Sequence, residues 1–265
     1  MKPKIKNYRN IEDIVCRIDM SQTSKKIEDE LDKVWGKYAA YHIYNVEDNN
    51  YESLYENLAE HIGKIREIHA SNDKSVKFSK SRDIKPDESA GYHYFSSNTR
   101  QPLHSDYAYY EEDKAPDWLL LYCLKPSHLG GKTHILSTKT LNNILEKYNP
   151  KLLDKIKVDV NWQYEGIDGD EQCTKPLFDG KFINWNYWQI REELNDKKVM
   201  DIRQEFFDFL ENFIVAGNIY DYSIDWAAGD CIIFNDRLVL HARDAFLGHR
   251  WLKDHAIYDE TILSR

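Results

Sequence analysis

Apolar residues recur along this chain with two different periods, and the changes of period mark its elements. Between residues 22 and 36, Ile27, Leu31, Val34 and Trp35 fall at helical spacing, with Gly36 as a stop. The run YAAYHIYNV at 38–46 predicts a strand, and Leu54, Leu58, Ile62 and Ile65 predict an amphipathic helix over 51–66. Residues 70–98 then turn polar and irregular (SNDKSVKFSKSRDIKPDES), which predicts a long mobile loop of the kind that forms active-site lids. Further strands are predicted at 117–125, 132–137, 157–164, 181–186, 220–226, 230–235 and 250–258. Two helices interrupt them. One covers 138–148, with Leu141, Ile144, Leu145 and Tyr148 on one face and Pro150 just beyond. The other covers 198–215, with Val199, Ile202, Phe206, Phe209, Leu210 and Phe213 on one face. Many strands, few helices and no strand–helix–strand rhythm predict an antiparallel sandwich or barrel. A chain of 265 residues suits one such domain, expected to span 1–265, and is long enough to bury a core without disulfides.

Composition changes this picture little. The net charge of −9 argues against nucleic acid, whose binding proteins carry a basic patch or stripe. Cys16, Cys123, Cys173 and Cys231 form no C-x-x-C pair, which leaves no zinc-ribbon or thioredoxin-like motif. No apolar stretch follows the lysines of MKPKIKNYRN, and no run approaches the roughly 20 residues that span a bilayer. A cytoplasmic enzyme acting on a small molecule is expected, without a membrane or nucleic-acid partner; self-association stays open.

The chemistry concentrates in QPLHSDYAYY at 101–110. On a strand, residues two apart share a face, so His104 and Asp106 are expected to project together while Ser105 points away. An imidazole and a carboxylate side by side form two-thirds of a 2-His-1-carboxylate facial triad, which suits iron(II) and leaves coordination positions open. By itself H-x-D is more often part of a surface strand. The segment GDCIIFNDRLVLHAR at 229–243 offers a buried strand, a turn at Asn235–Asp236 and a second strand ending at His241. A histidine after LVL is as readily a core or rim residue as a third ligand. Arg250 opens RWLKDHAIY, and arginine is the usual fork for a carboxylate, although a surface ion pair is the commoner use. Thr133 in GGKTHIL could add a hydroxyl, while Gly130 and Gly131 mark a tight turn.

Taken together and in order, PLHSDYAYY, APDWLLLYCLKPSHLGGKTHILS and AAGDCIIFNDRLVLHARDAFLGHRWL resemble the taurine dioxygenase (TauD/TfdA-like) family. That family belongs to the clavaminate synthase-like branch of Fe(II)/2-oxoglutarate-dependent oxygenases. The matching blocks cover roughly residues 100–140 and 225–258, and LAEHIGKI resembles the family's N-terminal helix. The resemblance implies a mainly β double-stranded β-helix (jelly roll) with flanking helices. It implies iron held by His104, Asp106 and His241, and 2-oxoglutarate held by Arg250 with Thr133. It also implies that O2 and 2-oxoglutarate are consumed to succinate and CO2 as an aliphatic C–H bond is hydroxylated. Halogenating relatives replace the metal carboxylate with a small residue; Asp106 is present, which disfavours halogenation.

The resemblance is weakest at the substrate. Relatives place a substrate-binding arginine four residues after the co-substrate arginine, and here Asp254 reverses that charge. Tyr107, Tyr109 and Tyr110, followed by Glu111 and Glu112, would suit an ammonium or guanidinium group. Arg100 could fix a carboxylate. An amino-acid-like or amine-bearing substrate is therefore expected; alternatively these tyrosines pack in the core and the acidic run is a solvated turn. Desaturation, ring closure or action on a carrier-tethered amino acid would follow from the same chemistry. From other classes, the rivals are a cupin-like iron protein that ignores 2-oxoglutarate and a non-catalytic jelly-roll binding protein.

Overall fold

The computed structural model describes residues 14–69, 78–87, 96–157, 161–166 and 171–259. Two antiparallel-rich sheets face each other. The major sheet orders β1 (Val15–Asp19), β2 (Ala40–Tyr44), β14 (Cys231–Asn235), β8 (Trp118–Lys125), β17 (Trp251–Tyr258) and β3 (Lys64–Ile65), with β6 (Arg82–Ile84) also paired to β17. The minor sheet orders β13 (Tyr222–Ile224), β10 (Thr133–Ser137), β15 (Val239–Arg243) and β7 (Gln101–His104). Three short ribbons complete the described strands: β4 (Ile68–His69) with β5 (Phe78–Ser79), β9 (Leu129–Gly130) with β16 (Phe246–Leu247), and β11 (Trp162–Glu165) with β12 (Gln172–Lys175).

Alternation along the strands explains the layers. Leu119, Leu121 and Cys123 of β8, with Ile232 and Phe234 of β14, meet Ile135 of β10 and Val239 of β15 between the sheets. Their neighbours Trp118, Leu120, Tyr122, Cys231 and Ile233 face the other way, under α1 (Ile27–Asp32) and α2 (Tyr51–Ile62). The outer face of the minor sheet, with Leu136, Leu240 and Ala242, is covered by α3 (Thr138–Tyr148), α4 (Pro150–Lys157) and α5 (Lys197–Phe209). Both central strands are buried on both faces, so they read as continuous apolar runs. This is the double-stranded β-helix with flanking helices that the sequence leads one to expect.

Several boundaries differ from expectation, each for a physical reason. The first helix shrinks to α1, six residues after a 3-10 turn at Met20–Gln22. The second stops at Ile62 because Gly63 lets the chain press against β17: a Cβ there would lie 2.0 Å from the Tyr258 carbonyl oxygen. Ile65 consequently belongs to β3. Pro150 opens α4 instead of merely ending α3, since a first-turn proline loses no helical hydrogen bond. Of the strand expected at 157–164, Lys157 closes α4 and Trp162–Tyr164 lie in β11, while 158–160 fall outside the described residues. Residues 181–186 form no strand; a single bridge, Phe178 to Ile183, replaces it. The last helix continues from α5 into a π-helical turn, Leu210–Val215. Part of the expected 70–98 loop is ordered into β5 and β6, and the lid expectation otherwise falls on residues 70–77 and 88–95, outside the described residues. No helix among the described residues is long and apolar enough to cross a membrane.

Candidate metal centre

Some inward-facing positions of the minor sheet carry polar residues beside the apolar ones. Val239 points between the sheets, so His241 two positions on does too, and β7 pairs with β15 so that His104 is the direct partner of His241. Their imidazole centroids lie 4.0 Å apart. Asp106 arrives differently from expectation. The strand ends at His104, and Asp106 lies in the turn that follows, not at the next same-face position of a strand.

That turn is held from two sides. Asp236 accepts hydrogen bonds from the backbone N–H groups of Asp106 (2.9 Å) and Tyr107 (3.0 Å). The 184–189 segment straps the other side: Ser105 N donates to the Trp185 carbonyl (2.6 Å), Asn186 Nδ2 to that of Ser105 (3.2 Å) and Gln189 Nε2 to that of Asp106 (3.1 Å). The irregular segment thus presents a carbonyl acceptor and two side-chain amide donors to the turn.

The result is a set of three donors, His104, Asp106 and His241, with one ligand atom each lying within 4.8 Å of one another. His104 Nδ1 faces the Pro102 carbonyl at 2.8 Å, which places the proton on Nδ1 and leaves the Nε2 lone pair towards Asp106 Oδ1 at 3.1 Å. His241 Nε2 lies 3.9 Å from the same oxygen. Burial and the neighbouring His104 hold the His241 pKa down to about 3, so its imidazole is neutral, the form that binds metal. Burial alone would raise Asp106, but the facing imidazoles and Arg82 hold its carboxyl well below the usual range. Burial and the nearby Asp106 carboxylate instead push Asp236 up to about 7. Burial opposes a charge on His104, but the Asp106 carboxylate raises its pKa. Two imidazole nitrogens plus one ionised carboxylate form a donor set that fits a first-row dication such as iron(II), which would displace any proton on His104 Nε2.

Arg250 is buried, 3% exposed, and no carboxylate pairs with it among the described residues. Burial, then the neighbouring Arg243, pulls its pKa down to about 9. Both guanidinium groups lie near the Phe246 ring, Arg243 at 5.3 Å and Arg250 at 5.6 Å. A buried cation without a counter-ion is costly, and an anionic ligand would relieve it. The Arg250 chain passes Gly131, where a Cβ would lie 3.3 Å from Cδ. Thr133 follows two residues later, its Oγ1 accepting from Trp226 Nε1 at 3.0 Å.

The expected substrate residues are more dispersed. Asp254 is 1% exposed and engaged by the Arg82 guanidinium. Arg100 is paired with Glu211 through both terminal nitrogens. The Tyr107 ring receives the Arg66 guanidinium at 5.4 Å, and Tyr109 packs at 4.3 Å on Tyr110 and against Gly166. Glu112 pairs with Arg237. Sequence reading passed over Arg82, Arg243, Trp226 and Asp236. Only Asp236 left a trace, as half of an Asn–Asp turn.

A jelly roll with two histidines and one carboxylate converging at an inner sheet face defines the class of non-haem iron oxygenases. The chain belongs to the taurine catabolism dioxygenase TauD, TfdA family, whose profile matches residues 5–254, and it is an Fe(II)/2-oxoglutarate-dependent oxygenase that uses O2. No curated protein matches the sequence. Similar solved structures include an asparagine oxygenase in complex with Fe(II), 3-hydroxyasparagine and succinate (12% identity, 88% of this chain and 78% of that one, TM-score 0.67). The PvcB protein of Pseudomonas aeruginosa is similar at 14% identity (98% and 91%, TM-score 0.64). So is a taurine dioxygenase from Burkholderia xenovorans at 11% (92% and 87%, TM-score 0.60). At these identities the likeness is one of fold.

Proposed function

We propose that this enzyme hydroxylates an aliphatic C–H bond of a small amino-acid-like or amine-bearing substrate, as a cytoplasmic enzyme, with His104, Asp106 and His241 holding iron. The observation that carries this reading is the convergence of these three donors within 4.8 Å from segments far apart in sequence. Arg250 would take the distal carboxylate of 2-oxoglutarate, because it is a buried guanidinium with no carboxylate partner among the described residues, and Thr133 would add a hydroxyl beside it. Iron with 2-oxoglutarate and O2 supplies the oxidising power, releasing succinate and CO2. The protein's own part is to hold the three metal-facing groups together, to grip the co-substrate at a dry site and to orient the substrate.

One observation supports an amino-acid-like substrate. Structures of similar fold, the asparagine oxygenase above and the non-heme iron oxygenase OrfP, were solved with hydroxylated amino acids, 3-hydroxyasparagine and (3S)-hydroxy-L-Arg. The test is a panel of amino acids, amines and taurine incubated with enzyme, iron(II), ascorbate and 2-oxoglutarate. Succinate release coupled to gain of one oxygen on an amino acid is the expected result. Gain of oxygen on taurine alone would remove the substrate reading, and so would the absence of succinate with every amino acid and amine.

A further inference from the structure

Arg82 lies outside every segment that carries the metal motif, yet it reaches the centre. Strand β6 runs antiparallel to β17 with Arg82 directly opposite Asp254. Arg82 Nη2 ion-pairs with Asp254 Oδ2 and also lies 3.9 Å from Asp106 Oδ2. The two oxygens of Asp106 therefore have different neighbours. Oδ1 faces both imidazoles, at 3.1 Å from His104 Nε2 and 3.9 Å from His241 Nε2, while Oδ2 faces the guanidinium.

A carboxylate can bind a metal through one oxygen or through both, and the second mode occupies an additional coordination position. A fixed cation at Oδ2 opposes that mode, since it already partners the outer oxygen and repels a dication approaching it. Asp254 is almost fully buried and inward-facing on β17, between Leu252 and Ala256 of the inter-sheet core. Its charge gives the guanidinium a counter-ion and fixes its place. Breaking such a buried pair by removing one partner leaves the other uncompensated.

We propose that Arg82, seated on Asp254, is a positioning residue that keeps Asp106 a one-oxygen metal ligand and so preserves the position the co-substrate needs. The inference rests on the metal-ligand reading above. It assigns Asp254 a role in holding Arg82 in place of direct contact with a substrate cation.

The experiment uses anaerobic cobalt(II) titration of the full chain, read by visible absorption, followed by 2-oxoglutarate titration of the cobalt form. Arg82→Gln is expected to change the cobalt spectrum towards higher coordination and to weaken 2-oxoglutarate binding about tenfold, the scale on which partners of metal ligands act. Arg82→Lys, which keeps the charge, should recover part of both. Combining Asp254→Asn with Arg82→Gln should add little, because Asp254 acts through Arg82. A folded Arg82→Gln with the wild-type spectrum and wild-type co-substrate affinity would overturn the proposal. Should Arg82→Gln fail to fold, Asp254→Asn carries the same spectral expectation, and an unchanged spectrum there would overturn it equally. A wild-type protein that takes up no cobalt(II) overturns the metal-ligand reading itself, whereas normal cobalt uptake with unresponsive variants overturns the role of Arg82 alone.

Discussion

His104 and His241 are direct partners across two antiparallel strands, separated by more than 130 residues of chain but with ring centroids 4.0 Å apart. Backbone pairing therefore fixes the separation of two of the three proposed metal ligands independently of any metal. The third, Asp106, depends on a turn held by Asp236 and the 184–189 segment. The centre combines a rigid half and a half that must be clamped.

Asp106→Ala should remove metal binding at micromolar metal and abolish succinate formation. In the wild type, iron(II) or cobalt(II) should raise the melting temperature, because a ligand bound only by the folded state stabilises it. Thermal unfolding with and without metal checks this. An equal metal-induced shift in Asp106→Ala would contradict the assignment.

Arg250→Met should weaken 2-oxoglutarate about 100-fold, roughly 3 kcal/mol, as expected for loss of a charged hydrogen-bonded partner. Without co-substrate the same variant should be more stable than the wild type, since it no longer buries a cation lacking a counter-ion. Calorimetric titration and urea unfolding read the two effects separately. Reduced apo stability with unaltered co-substrate affinity would assign Arg250 a structural role.

Asp236→Ala should destabilise the protein by roughly 2–3 kcal/mol, because a buried and a part-buried backbone N–H lose their acceptor. Asp236→Asn keeps one acceptor oxygen and should fall between. Urea midpoints of the three proteins provide the check; a neutral Asp236→Ala would show that the turn is held by the 184–189 segment alone.

Lys175 gives a pH dependence. It is buried, donates to the Tyr110 carbonyl at 2.7 Å, and burial lowers its pKa to about 8. Below about pH 8 both folded and unfolded chains carry the proton, and the folded state bears the full penalty, roughly 3 kcal/mol. From about pH 8 up to the ordinary lysine range the unfolded chain binds more protons, so this contribution makes stability rise with pH. Lys175→Met should be more stable than wild type at pH 7, with the gap narrowing by pH 9.5. Chemical denaturation at the two pH values measures it, and a constant gap would refute the shift.

The primary sequence determined most of the fold and singled out the donors proposed for the centre. The apolar runs of β8 and β14 are legible because both faces are buried, and His104, Asp106, His241, Arg250 and Thr133 stand in short blocks whose residue types match their chemistry. Side-chain period and residue type are local properties, so they survive in one dimension. Tertiary structure alone decided the rest. It turned 181–186 from an expected strand into a strap, and let a glycine at 63 cut a helix short against the Tyr258 carbonyl. It also brought Arg82 from a polar stretch onto Asp254 and Asp106. Each of these depends on contacts between residues distant in the chain, and no periodicity records a partner 172 residues away.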